Sequence, residues 1–128
     1  MITVHVSGAP RTKKTHNRVV RAGQRLMVLP SKYWAAWCRD ALIEYGVNGA
    51  SATFYGFQPL TTAAVNCRAL FYRDALRGDA VGFYQGLADL LEKRGVLKND
   101  AQIVSWDGSR LCLDRENPRV ELVLEPVA

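Results

Sequence analysis

Residues 80–94, AVGFYQGLADLLEKR, repeat apolar side chains every three or four positions: Phe83, Leu87, Leu90 and Leu91 form one stripe, and Gly95 closes the run. That is the α-helical period, and a stripe this continuous has to be buried against an apolar surface. Segments with a period of two supply such a surface. In VNCRALFYR, Val65, Cys67, Ala69 and Phe71 share one face while Asn66 and Arg68 take the other; in PRVELVLEPV, Val120, Leu122 and Leu124 alternate with Glu121 and Glu125. ITVHV near the N-terminus and QIVSW after the helix read as further strands. The pattern predicts an α+β two-layer sandwich, a mixed sheet of about four or five strands covered by two main helices.

The other helix is predicted in PSKYWAAWCRDALIEYG. Ser31 is placed as its N-cap, Trp34, Trp37, Cys38, Ala41, Leu42 and Tyr45 form its apolar stripe, and Gly46 ends it. Trp34 and Trp37 could stack on bases, but on an inward stripe they read as core. RVVRAGQRLMVL sets two β-rich arms around Ala22 and Gly23, a hairpin whose arginines project outward as a basic arm. Residues 47–60 show no clear period and read as a loop. A chain of 128 residues, 48% apolar, fits one domain that buries roughly two thirds of its unfolded surface.

Charge is unevenly spread. Between Met1 and Arg39 there are eight Lys or Arg and no acid, whereas the remaining 89 residues hold nine cations and all twelve acids, so a net +5 divides into +8 and −3. A front of unopposed cations points to a polyanion, nucleic acid above all. The sequence begins without a basic leader and apolar run, and no stretch approaches membrane-span length, which sets a cytoplasmic expectation with no membrane partner. Cys38, Cys67 and Cys112 are far apart and in no C-x-x-C pair, so they read as reduced and buried. His5 reads as a strand residue and His16, among cations, as a phosphate contact; neither has metal spacing.

Two acids frame the long helix. Asp79, just before the apolar period, is explained as an N-cap, and Asp100, in KNDAQ, as a turn residue. Chain reversal after Gly95 could also bring them together as oxygen ligands for Mg²⁺, which takes few protein carboxylates and accepts phosphate oxygens.

SGAPRTKKTHNRVV, MVLPSKYWAAWCRDAL, GDAVGFYQGLADLLEKRGVLKNDAQIV and NPRVELVL together resemble the RusA-type Holliday junction resolvases of phages and prophages, over nearly the whole chain as a single domain, residues 1–128. The family pattern is an acid, one residue, a second acid, Asn, two residues and Lys, then an Asp at the start of a strand after the helix. Asp79 and Asp100 match the first and last acids at the same separation, and Gly95 and Gln102 also match; Val81, Gly82 and Gln85 replace the second acid, the Asn and the Lys. Valine cannot ligate a metal and glutamine brings no charge; losing one preorganised charge-stabilising group costs on the order of 10²–10³ in rate.

The resemblance implies a structure-selective endonuclease that resolves four-way DNA junctions in recombination and repair. It would act as a homodimer by paired nicking, with Mg²⁺ (or Mn²⁺) and no small-molecule cofactor. Asp79 and Asp100 would hold the metal, with Asp107 or Asp89 as a replacement ligand, and Gln85 would bind a phosphate or a water. Lys13, Lys14, Arg18, Arg21 and Arg25 would contact backbone phosphates. Two alternatives stand beside it: a catalytically weak or inactive junction-binding protein of the same fold, and a small RNA-binding module without metal.

Overall fold

The computed structural model describes residues 1–13, 18–29 and 31–127. The strands are β1 (Ile2–Ser7), β2 (Arg18–Ala22), β3 (Arg25–Leu29), β4 (Ile43–Val47), β5 (Ala50–Thr53), β6 (Val65–Arg73), β7 (Ile103–Ser105), β8 (Arg110–Leu113) and β9 (Arg119–Pro126). The helices are α1 (Lys32–Asp40) and α2 (Ala80–Lys93), with a single 3-10 turn at Asp100–Gln102. Seven strands form one sheet in the order β5-β4-β1-β9-β6, and the far edge of β6 is shared by β7 and β8. β7 and β8 run parallel to β6 and every other pairing is antiparallel, so the sheet is mixed. Among the described residues β2 and β3 pair only with each other, and they turn at Gly23 and Gln24, one residue beyond the Ala22–Gly23 turn that the sequence predicts. This is the expected α+β sandwich, with more strands than the four or five anticipated.

Both helices lie on one face of the sheet. Val4, Val6, Val65, Cys67, Ala69, Phe71, Val120, Leu122 and Leu124 supply that face, and Trp34, Trp37 and Cys38 of α1 and Phe83, Leu87, Leu90 and Leu91 of α2 close over it in one buried cluster. The tryptophans are core residues, each with its indole N–H satisfied: Trp34 Nε1 donates to the Gly86 carbonyl at 3.0 Å and Trp37 Nε1 to the Ser7 carbonyl at 3.1 Å. Burial pushes the Cys67 thiol up to about 12 and the Cys38 thiol to about 11, so neither is a thiolate nucleophile at neutral pH. Among the described residues no helix is long and apolar enough to cross a membrane.

Two sequence expectations fail locally. The first helix stops at Asp40 instead of running to Gly46, and Ala41 already has an extended backbone. Arg94, the C-cap of α2, sends Nη1 into the carbonyls of Cys38 (3.0 Å) and Ala41 (2.7 Å), satisfying oxygens that a longer helix would have used itself. Ser7 then takes Leu42 into the sheet edge: its amide donates to the Leu42 carbonyl and its hydroxyl accepts from the Leu42 amide. Residues 43–47 leave as β4, paired with β1. The expected loop at 47–60 likewise contains β5, turned back on β4 through Asn48 and Gly49, both at positive φ.

Candidate functional site

The face of α2 that looks away from the sheet carries the site residues, and two devices fix its ends. At the N-terminus the Asp79 carboxylate accepts from the Gly82 amide at 2.8 Å, as an N-cap does. At the C-terminus Gly95, at φ +80°, turns the chain back, and the Gln102 side chain locks the return. Its Oε1 accepts from the amides of Lys98 and Asn99, and its Nε2 donates to the carbonyls of Thr61 and Ala63, all within 2.9–3.1 Å. The matching residues Gly95 and Gln102 are therefore structural: they set where Asp100 emerges.

Along this face Asp79, Val81, Gly82 and Gln85 line a cleft of about 570 Å³, with Thr12 and Lys13 from the loop after β1 as its opposite wall. Lys13 crosses α2, its Nζ lying 3.1 Å from Asp89 Oδ2 and 5.0 Å from the centre of the Trp34 ring. The fold thus brings together three of the residues singled out from sequence: Lys13, Asp79 and Gln85. Val81 stands in the cleft with 72% of its surface exposed, at the position where the resemblance expects an acid.

Asp100 is not in that group. Its amide donates to Glu92 Oε1 at 3.0 Å, and its carboxyl shares a hydrogen bond with Asp89. Partial desolvation, then the charges of Glu92 and Asp89, and that bond raise the Asp100 carboxyl above its ordinary value. Asp79 rests on Gly82 while Asp100 meets Asp89, and the seven-residue step from Gly82 to Asp89 along α2 amounts to roughly 10 Å. Two oxygens on one Mg²⁺, each about 2.1 Å from it, stand at most roughly 4 Å apart. Asp79 and Asp100 are accordingly anchored at different turns of α2, and the chain reversal delivers Asp100 to the distal half of the helix.

Asp107 lies beyond the opposite end of β7 from Asp100. Its amide donates to Asn66 Oδ1 at 2.8 Å and its carbonyl accepts from Asn66 Nδ2 at 3.1 Å, a turn held to β6. Asp89, which the sequence offers as a replacement ligand or as a solvated helix partner of Lys93, is the acid that meets Asp100. Glu92, three residues further along the same face, escaped the sequence reading although its i, i+3 spacing from Asp89 was available. Among the described residues no group of three or more His, Cys, Asp or Glu side chains is disposed to hold a metal ion.

Arg21 and Arg25 are exposed on the β2–β3 hairpin, consistent with a basic arm. Lys14, His16 and the side chain of Arg18 lie outside the described residues. Compared with known proteins, the chain matches no family model and no curated sequence significantly, so the likeness drawn from its motifs rests on its own residues.

Proposed function

We propose that this chain is a DNA-binding protein of RusA-like type that holds branched DNA, four-way junctions foremost, and in which Mg²⁺-dependent nicking is weak. The observation that carries this reading is the cleft on α2, where Lys13, from the acid-free front of the chain, faces Asp79 and Gln85 across a gap open to solvent. Backbone phosphates entering there would meet Lys13 first, with Arg21 and Arg25 reaching further along the duplex; such contacts give affinity and salt dependence without base choice. A homodimer suits a substrate with its own pseudo-two-fold symmetry. Weak hydrolysis follows from Val81, from Gln85 and from the separation of Asp79 and Asp100.

A second reading, an active junction-resolving endonuclease using Mg²⁺ or Mn²⁺ in recombination and repair, is favoured by one observation. Asp89, Glu92 and Asp100 crowd together beside Lys13, more like charge than a helix face needs for stability.

The two readings separate in one experiment. A synthetic four-way junction, a linear duplex and a single strand are each titrated with protein, then incubated with Mg²⁺ or Mn²⁺. The first reading expects the junction to be bound at least tenfold more tightly than duplex, with nicking slower than junction dissociation. Paired, symmetric nicks that vanish in both Asp79→Asn and Asp100→Asn establish the second reading, and equal affinity for all three nucleic acids removes both.

A further inference from the structure

Behind the α2 cleft, and sharing Thr12 and Gly78 with its wall, lies a separate cavity of about 200 Å³. Three arginines line it from three parts of the chain: Arg11 from the loop after β1, Arg73 from the end of β6, and Arg77 from the loop before α2. The carboxylate facing them is Asp74, and it is held loosely. Arg11 Nη2 and Arg77 Nη2 both approach the same oxygen, Oδ2, at 3.5 Å, the outer limit of a hydrogen bond, and Asp74 is itself about a third exposed. Among the described residues Arg73 commits only its Nε, donating to the Cys112 carbonyl at 3.2 Å, which anchors the side chain with its terminal nitrogens turned to the cavity's other acceptors. Tyr33, at the start of α1, lies beneath the Arg11 guanidinium, 5.6 Å from ring centre to Cζ.

Three guanidinium groups lining one cavity, two of them on one weakly held carboxylate, form a receptor for a larger anion. A tetrahedral phosphate offers several oxygens at charge-assisted distances of about 2.7–2.9 Å, where Asp74 offers one at 3.5 Å. The backbone keeps the cavity in shape. Gly78 has φ +85°, and a Cβ there would stand 2.7 Å from the Phe83 ring, so glycine alone lets the loop close on Phe83 and hold Arg77 at the rim.

We infer that the pocket formed by Arg11, Arg73 and Arg77 is a phosphate-binding site, and, resting on the DNA reading above, that it takes a nucleic-acid phosphate next to the α2 cleft. Asp74 occupies the anion's place when the pocket is empty and swings out when it fills.

The test is titration of the full chain with inorganic phosphate, followed by heteronuclear NMR or calorimetry. Saturable binding is expected. It should weaken at least fivefold in Arg77→Ala, whose side chain is exposed, tighten at least threefold in Asp74→Asn, and stay within twofold in Arg39→Ala, at the far end of α1. Non-saturable binding, or equal binding in Arg77→Ala and Asp74→Asn, overturns the pocket.

DNA arms then identify the source of the phosphate. If it is a terminal monoester, removing the 5′-phosphate from a junction costs as much affinity as Arg77→Ala. If it is an internal diester, the 5′-phosphate is irrelevant and Arg77→Ala lowers the salt slope by about one. Phosphate binding that responds to both variants in a protein indifferent to DNA upholds the pocket and removes the DNA reading.

Discussion

Gly86→Ala tests how tightly the basic front is seated on α2. Gly86 is buried at mid-helix where the loop after β1 crosses, and a Cβ there would stand 2.5 Å from the Arg11 carbonyl oxygen, about 0.9 Å short of ordinary contact at 3.4 Å. The obstacle is backbone, so it cannot rotate away, and the Gly86 carbonyl is itself tied to Trp34 Nε1. Alanine gains about 1 kcal/mol in helix propensity over glycine. Overpacking against a fixed neighbour costs about 1–3 kcal/mol. The balance is a net loss of up to about 2 kcal/mol, or up to roughly 8 °C in Tm. The displacement also pulls Arg11 out of the arginine pocket and Lys13 off Asp89, so affinity for phosphate and DNA should fall by more than the lost stability explains. Urea denaturation and junction titration at a temperature where the variant is fully folded measure the two effects separately. A variant about 1 kcal/mol more stable than the parent, with unchanged DNA affinity, would mean that the loop is not seated on Gly86, and the geometry of both cleft and pocket would fall with it.

Asp79→Ala should cost about 1 kcal/mol through loss of the cap, whereas Asp79→Asn, which still caps, should leave the denaturation midpoint nearly unchanged; equal losses in both would show that the carboxylate's charge, not its cap, stabilises α2. Asp100 has a raised carboxyl, so its contribution to stability is present below the ordinary carboxylate range and is lost as pH rises through its folded value. Melts between pH 4 and 7 should show Asp100→Asn without that decline and at least as stable as the parent at pH 7; parallel profiles would contradict the crowding of Asp89, Glu92 and Asp100. Gln102→Glu turns two donated bonds into an acceptor facing the carbonyls of Thr61 and Ala63, and should cost about 1–3 kcal/mol by chemical denaturation. No loss would mean that the return after α2 is held by other contacts.

Periodicity makes most of this architecture legible in the sequence. The stripe of α2 and the alternation of β6 and β9 are strong signals because each element is buried on one side only. What escaped was decided at a distance. Leu42 and Tyr45 fit a helical stripe, and only a guanidinium from residue 94, drawing on the carbonyls of Cys38 and Ala41, ends α1 early. β8, four residues on the outer edge of β6, is too short to announce itself. At the site, sequence identified Lys13, Asp79 and Gln85, which meet in the cleft, but it paired Asp79 with Asp100, because chain separation reveals nothing about which turn of a helix a returning loop reaches. The arginine pocket draws on residues 11, 73 and 77, a set without local spacing, and could be recognised only after folding.

The position of β9 bears on how the polypeptide matures during synthesis. Of the strands described it is the last to leave the ribosome, and it is also the seam of the sheet, with β1 along one side and β6 along the other. Until it emerges, a nascent chain carries two unfinished half-sheets with open hydrogen-bonding edges, the condition under which polypeptides pair with the wrong neighbour. A stop codon shortly before residue 119 would therefore yield an aggregating fragment, not a trimmed but soluble molecule.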